Sequence, residues 1–128
     1  MTKRVISTPL APSALGSYSP AVRAGNLVFV SGQIPVDPAT GNLIEARDIQ
    51  SQARRSLLNL QALVTAAGGS LENVVRTTVF LKDMNDFAGM NSVYTEFFTE
   101  NYPARSTVEV ARLPKDVAIE IDCIAVVD

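Results

Sequence analysis

Two charged residues near the C-terminus, Arg105 and Glu120, have the types and spacing of a site for a small carboxylic acid. Arg105 lies in the segment Pro103-Ala104-Arg105-Ser106, and Glu120 follows fifteen residues later between two isoleucines. A guanidinium is a planar fork that can bind a carboxylate through two hydrogen bonds, and a glutamate can orient or deprotonate a water molecule. Both residues occupy extended runs joined by the short connection 113–116, so we expect them on neighbouring strands. The pair therefore suggests hydrolysis of a small carboxylic acid.

Each of these two residues also has an ordinary structural interpretation. Arg105 stands at the start of an apolar run, where a buried charge needs an anion. That anion could belong to a ligand or to a protein carboxylate, and the residues alone do not choose between them. Glu120 lies in a strongly apolar strand, where unpaired burial would raise its pKa. It could instead pair with Arg105 or Arg112, or point to solvent.

Four further residues are weaker candidates. Tyr18 follows Gly16-Ser17 in a flexible loop, where an aromatic residue serves packing or function. Ser31 lacks the glycine pattern of a nucleophile elbow, so we interpret it as a hydrogen-bond donor or a plain strand-end residue. Gly32 would let a ligand approach the backbone closely. Asn91 shares a helix face with aromatic residues, and it is either a buried amide satisfied locally or a ligand contact.

The composition limits the chemistry that the chain can perform. Its 128 residues, 47% apolar and 19% charged, predict one globular domain over residues 1–128. The net charge of −2 and the scattered basic residues argue against a nucleic-acid partner. The chain contains no histidine, and its single cysteine, Cys123, supports neither an internal disulfide nor a zinc site. We therefore expect catalysis by carboxylates, arginine, tyrosine, hydroxyls and backbone groups, with no metal.

The sequence predicts no membrane partner. No apolar run approaches the roughly 20 residues that a membrane-spanning helix needs. The basic N-terminal segment 1–9 lacks the apolar core of a signal peptide. With a lone cysteine, these features favour a reducing compartment, most simply the cytoplasm.

Hydrophobic periodicity predicts an α+β fold in the order strands, helix, strand, helix, two strands. The helices are expected at 47–67, ending at Gly68-Gly69, and at roughly 86–99. The strands are expected at 3–8, 21–24, 27–31, 74–82, 106–111 and 117–126.

The last predicted strand carries apolar residues on both sides. One side holds Val117, Ile119, Ile121, Cys123 and Val127, and the other holds Ile124 and Val126 together with Glu120. Two helices cannot easily bury both faces of such a sheet. We therefore expect both helices on one face of the sheet. We also expect a homo-oligomer in which the uncovered sheet faces of the subunits pack together, with Glu120 near that interface.

Motifs along essentially the whole chain resemble the YjgF/YER/RidA family, the reactive intermediate deaminases. The C-terminal segment from Pro103-Ala104-Arg105-Ser106 through Leu113-Pro114-Lys115-Asp116 to Ile119-Glu120-Ile121 is the most specific of them. The other motifs are individually weak but correctly ordered: Gly16-Ser17-Tyr18-Ser19, Val30-Ser31-Gly32-Gln33-Ile34-Pro35, Gln52-Ala53, Thr77-Thr78-Val79-Phe80, Met84-Asn85-Asp86-Phe87, Asn91-Ser92-Val93-Tyr94 and Phe97-Phe98.

The resemblance implies a chorismate-mutase-like α+β fold, with a mixed sheet, two helices on one face and a homotrimer packed through the other. It implies sites in the clefts between subunits. The implied activity is hydrolysis of 2-iminobutanoate and 2-iminopropanoate to 2-keto acids and ammonia without metal or cofactor. These imines and enamines are released by pyridoxal-phosphate-dependent dehydratases and damage other such enzymes.

The resemblance also assigns roles by position. Arg105 would bind the substrate carboxylate bidentately, Glu120 would activate water, and Tyr18 would close over the substrate. Ser31, Gly32 and Asn91 would line the pocket, and backbone groups at Thr107 would contact ligand or water.

The chain departs from the family pattern at several positions. Ser17 and Pro20 stand where many members have proline and glutamine, Thr107 stands where many deaminases have cysteine, and the connection 100–103 is short. Two other functions stay open: a non-catalytic trimer that binds a keto acid through Arg105, and an endoribonuclease or translation inhibitor. The acidic balance and the missing histidine disfavour the latter.

Overall fold

The computed structural model describes residues 2–128, in which two helices cover one face of a six-stranded mixed sheet. The strands are β1 (Arg4–Ile6), β2 (Ala21–Ala24), β3 (Leu27–Gln33), β4 (Val36–Asp37), β5 (Asn42–Leu43), β6 (Val74–Leu81), β7 (Ala104–Glu109) and β8 (Ile119–Val126), and the helices are α1 (Ile49–Ala66) and α2 (Phe87–Phe97). The large sheet has the order β1-β2-β3-β8-β6-β7, and β4 and β5 form a separate hairpin. The predicted fold class is confirmed. None of the helices described could cross a membrane, because each is too short or too polar.

Helix α1 forms because its apolar residues fall on one face and its ends are capped. Asp48 accepts a hydrogen bond from the Ser51 amide at 2.9 Å, which satisfies a free donor of the first turn. Ala53, Leu57, Leu60 and Val64 are fully buried against the sheet. The chain leaves the helix at Gly68, whose φ of +99° suits glycine.

Strand β8 alternates strictly between two environments. Ile119, Ile121 and Ala125 are completely buried beneath the helices, whereas Glu120 and Asp122 lie on the opposite side and are half-buried. We call that opposite side the open face. Exposed apolar residues from four strands lie on it: Val5, Leu27, Phe29, Val108 and Val126. The expected two-sided strand is confirmed, and the homotrimer that would cover the open face stays a prediction.

The expectation that Arg105 and Glu120 lie on neighbouring strands is wrong, because β6 lies between β7 and β8. Helix α2 carries the chain from β6 to a parallel neighbour, so β7 becomes the edge strand. The chain then returns through a short 3₁₀ helix, Pro114–Asp116, and β8 pairs antiparallel with both β3 and β6. A short connection in the sequence therefore joins strands that are not adjacent in the sheet.

A buried amide on α1 fixes the backbone that follows Gly32. Asn59 is completely buried, and its Nδ2 donates to the carbonyl oxygens of Ile34 and Val36 at 3.3 and 2.9 Å. Its Oδ1 accepts two hydrogen bonds from the Arg55 guanidinium. This side chain joins the helix layer to the end of β3.

We predict that Asn59→Ala lowers the free energy of unfolding by about 2–3 kcal/mol, because it leaves buried carbonyls without donors. The matched control is Arg54→Ala on the same helix, which breaks a solvent-exposed ion pair with Glu96 and should cost under about 1 kcal/mol. Urea denaturation of both variants measures the difference. Equal effects would contradict the structural role of Asn59.

Candidate active site

Arg105 projects from β7 toward α2 and is held there by neutral groups. Its Nη1 donates to Asn91 Oδ1 at 2.8 Å. Its guanidinium carbon lies 4.6 Å from the ring centroid of Tyr94 and 5.3 Å from that of Phe87. Within residues 2–128 the ion pairs join other residues, and no protein carboxylate pairs with Arg105. The positive charge is therefore free to bind an anion.

A cavity of about 440 Å³ opens in front of this guanidinium. Its walls are Asn91, Tyr94, Thr95, Tyr102 and Pro103, together with Arg105 itself. Thr107 follows two residues later on the same side of β7, and its hydroxyl is buried without a hydrogen-bond partner among residues 2–128. A buried hydroxyl without a partner is costly, so a ligand or water that reached it would gain a hydrogen bond.

Glu120 occupies a second cavity, of about 490 Å³, on the open face. Tyr18, Ser31 and Gly32 line it. Desolvation raises the pKa of Glu120, and the nearby Asp122 carboxylate raises it further. A glutamate of this kind can take up and return a proton closer to neutral pH than an exposed one.

The loop that carries Tyr18 is tied to β3 through Ser31. The Ser31 hydroxyl donates to the carbonyl oxygen of Ser19 at 2.6 Å, and its amide donates to that of Pro20. Ser31 therefore acts here as a hydrogen-bond donor to the loop. Tyr18 is 50% exposed, so it is accessible from the cavity that it lines.

Gly32 makes room for the Glu120 carboxylate. The pairing of β3 with β8 shifts between Val30 and Gln33, which is the signature of a β-bulge. A Cβ added to Gly32 would overlap the Glu120 carboxylate. The glycine is therefore required by close approach of a side chain, and the carboxylate rests directly against the backbone of the bulge.

The predicted site residues fall into two separate groups. Arg105, Asn91 and Thr107 lie on the side of the sheet that faces α2, whereas Glu120 lies on the open face with its own cavity. Strands β7 and β8 are also separated by β6, which places their axes about 10 Å apart. One small substrate cannot contact both charged groups within a single chain.

Sequence reasoning missed the aromatic contacts of Arg105 and the cation in the Glu120 cavity. Phe87, Asn91 and Tyr94 recur at intervals of four and three, which puts them on one face of α2. That spacing could have predicted that these three side chains together contact one residue of a neighbouring strand. Lys115 lines the second cavity with a φ of 56°, and no sequence signal indicated this left-handed conformation.

No metal centre is evident in the part of the chain that the structure describes. Residues 2–128 contain no group of three or more histidine, cysteine, aspartate or glutamate side chains arranged to hold a metal ion. The buried Cys123 thiol has its pKa raised by burial to about 12, so it is a poor thiolate ligand or nucleophile.

Comparisons with known proteins agree with this fold. The family model described as Endoribonuclease L-PSP matches residues 8–127. A 2-iminobutanoate/2-iminopropanoate deaminase of Salmonella typhimurium is 56% identical over 126 residues, covering 96% of this chain and 97% of that protein. A RutC family protein of Pyrococcus horikoshii is also 56% identical, over 123 residues, with the same coverage of each chain.

A solved structure of Escherichia coli TdcF with bound serine superimposes with a TM-score of 0.92. It is 51% identical in sequence, and the match covers 98% of this chain and 99% of that one. The architecture is thus that of the YjgF-like α+β proteins. The chain belongs to the Endoribonuclease L-PSP family, which is the YjgF/RidA family that its motifs resemble.

We predict that Gly32→Ala lowers the pKa of Glu120 toward its ordinary value, because the added methyl group pushes the carboxylate off the bulge into water. Carbon-13 NMR of the glutamate carboxyl groups measures this pKa. Gly16→Ala is the control, since a Cβ there meets nothing within 4 Å. An unchanged pKa in Gly32→Ala would show that the carboxylate does not rest on Gly32.

Glu120→Gln should stabilise the fold at neutral pH. A raised pKa means that the folded state holds the Glu120 proton more tightly than the unfolded state does. Ionisation therefore costs stability above the folded pKa, and that cost vanishes below the unfolded pKa. Thermal unfolding at several pH values should show a gain for Glu120→Gln at pH 7 that disappears near pH 4. A gain of equal size at both pH values would contradict this linkage.

Proposed function

We propose that the protein hydrolyses reactive 2-imino and enamine acids, such as 2-iminobutanoate and 2-iminopropanoate, to 2-keto acids and ammonia. Its role would be to protect pyridoxal-phosphate-dependent enzymes from damage by these compounds. The observation that carries the proposal is the free guanidinium of Arg105, which faces a cavity with no protein carboxylate paired to it. Relatives named 2-iminobutanoate/2-iminopropanoate deaminase at about 55% identity support the reaction type.

The proposed chemistry uses one cation and one carboxylate. Arg105 binds the substrate carboxylate through two hydrogen bonds and thereby places the electrophilic imine carbon. Glu120 takes a proton from a water molecule as the water oxygen adds to that carbon. The C=N π bond opens toward nitrogen, and the protonated Glu120 returns its proton to the amine. Glu120 next takes the proton of the carbinolamine hydroxyl and passes it to nitrogen. The C=O bond forms as the C–N bond breaks, which releases ammonia and leaves the keto acid.

The remaining site residues support these two. Tyr18 covers the substrate, and Ser31 and Gly32 form the wall beside Glu120. Asn91 steadies the guanidinium through its hydrogen bond. The buried Thr107 hydroxyl and its backbone supply a further contact for ligand or water. The serine bound in the solved TdcF structure is itself a small molecule with a carboxylate, which supports a carboxylate ligand for this fold.

We further propose that the active unit is a homotrimer with its sites between subunits. In one chain Arg105 faces α2 and Glu120 faces the other way, so a complete site requires Arg105 of one protomer and Glu120 of its neighbour. The exposed apolar residues of the open face, such as Phe29 at 43% and Leu27 at 39%, favour burial of that face between copies. A closed ring of three gives each protomer one site on each side.

The test generates 2-iminobutanoate in situ with a threonine dehydratase and follows its decay. We expect wild type and the surface variant Arg54→Ala to accelerate the decay, and Arg105→Ala and Glu120→Gln to lose about 100-fold or more. The rate should rise with pH through the raised pKa of Glu120, since only the ionised form takes the proton. If folded wild type does not accelerate the decay, the proposed deaminase activity is wrong.

Mixed oligomers test where the site lies. Arg105→Ala and Glu120→Gln subunits, co-expressed with different tags and purified through both, give trimers of two compositions. In either composition, one of the three subunit interfaces has both Arg105 and Glu120 intact. About a third of wild-type activity should therefore return. A site within one chain predicts no recovery.

A regulatory trimer that binds a keto acid without turnover is the second candidate, because the Arg105 cavity alone suffices for binding. Binding of 2-oxobutanoate by a wild type that does not accelerate imine decay would favour it. The family name points to ribonuclease activity, but the net charge of −2 and the absence of histidine do not support that reading.

A further inference from the structure

The guanidinium of Arg105 rests on a tyrosine ring that is itself fixed. The hydroxyl oxygen of Tyr94 lies 2.8 Å from Thr77 Oγ1, and the Tyr94 ring packs on Phe98 with centroids 4.7 Å apart. Tyr94 is 3% exposed and Thr77 is fully buried. The ring cannot turn aside without breaking a buried hydrogen bond and an aromatic contact. It therefore forms a rigid surface beneath the charge.

The strand register explains why one tyrosine can serve both neighbours. Thr77 of β6 and Arg105 of β7 are partners in the parallel pairing, so their side chains leave the sheet side by side toward α2. The Tyr94 hydroxyl meets the first, and the ring face meets the second. The position of the ring thus sets the height and tilt at which the guanidinium can lie.

The other contacts of Arg105 leave its plane to be set by this ring. Asn91 holds one nitrogen through a single hydrogen bond, which fixes a point and not a plane. Phe87 lies farther away, at 5.3 Å. All these groups are uncharged, and burial raises the pKa of the Tyr94 phenol, so it stays neutral. The ring therefore orients the cation without neutralising it.

We propose that Tyr94, anchored by Thr77, is a positioning residue that fixes the plane of the Arg105 guanidinium for two-point binding of a substrate carboxylate. Two parallel hydrogen bonds form only when guanidinium and carboxylate are coplanar. The identity of the ligand rests on the proposed function, whereas the orientation of Arg105 does not. A tilted guanidinium would keep its charge but lose one of the two bonds.

The first test measures binding of 2-oxobutanoate, the keto-acid product, by calorimetry. Tyr94→Leu removes the ring and should weaken binding about tenfold, with kcat/KM falling in parallel and kcat changing much less. Tyr94→Phe keeps the ring and should stay within about threefold. Val93→Ala, a buried change on the same helix, is the control for lost stability and should bind normally.

The second test observes the arginine directly. In protein labelled with nitrogen-15 arginine, the Nε–H signal of Arg105 is assigned by its loss in Arg105→Lys. Tyr94→Leu should move this signal, because the ring current of Tyr94 is removed, and Tyr94→Phe should largely preserve it. Thr77→Val removes the same hydrogen bond as Tyr94→Phe and keeps the ring, so its signal should resemble that of Tyr94→Phe and lie far closer to wild type than that of Tyr94→Leu.

These readouts separate the two proposals. A wild type that binds 2-oxobutanoate without accelerating imine decay overturns the deaminase, while the Tyr94 variants still report on binding. If Tyr94→Leu leaves the affinity and the Nε–H signal at wild-type values, the positioning role is wrong although the deaminase can stand. If wild type binds no 2-oxobutanoate, carboxylate binding fails and the Nε–H signal alone decides whether Tyr94 orients Arg105.

Discussion

The alternation of side chains along β8 is the constraint on which the rest of the structure depends. Successive residues of a strand point to opposite faces, so the residues that build the core force Glu120 onto the other side. Ile119 and Ile121 are fully buried beneath the helices. Glu120 consequently lies on the open face, and it cannot share a substrate with Arg105 of the same chain, which faces α2. The core packing of a single chain thereby divides the proposed site.

This division gives the open face two roles in the proposed assembly. Its apolar residues would provide the area buried between protomers, and the half-buried carboxylates of Glu120 and Asp122 would be enclosed with them. Both carboxylates have raised pKa values because desolvation disfavours their ionised forms. Packing of protomers would increase that desolvation. In the proposed trimer, assembly would therefore complete the site and also raise the pKa of its base, Glu120, further. The catalytic rate would then depend on the stability of the trimer.

The sequence predicted the positions of the helices and strands better than it predicted which strands pair with each other. Apolar periodicity placed both helices within a few residues of their observed ends, and the two-sided pattern of β8 showed that one face lacked cover. The insertion of β6 between β7 and β8 was not predictable in this way, because local patterns do not specify which strands pair. For the same reason the sequence named Arg105 and Glu120 as candidates but placed them wrongly relative to each other.

The contact between the Tyr94 ring and the Arg105 guanidinium shows what reasoning from local sequence patterns can miss. Tyr94 has the spacing of a core residue and is one, since it is almost fully buried and packs on Phe98. Its second contact arises only because β6 and β7 run in parallel with Thr77 beside Arg105. A residue selected for the core can thus also orient a charge, provided that its polar end has a buried partner. The packing of Tyr94 that stabilises α2 against the sheet therefore also holds the Arg105 guanidinium in place.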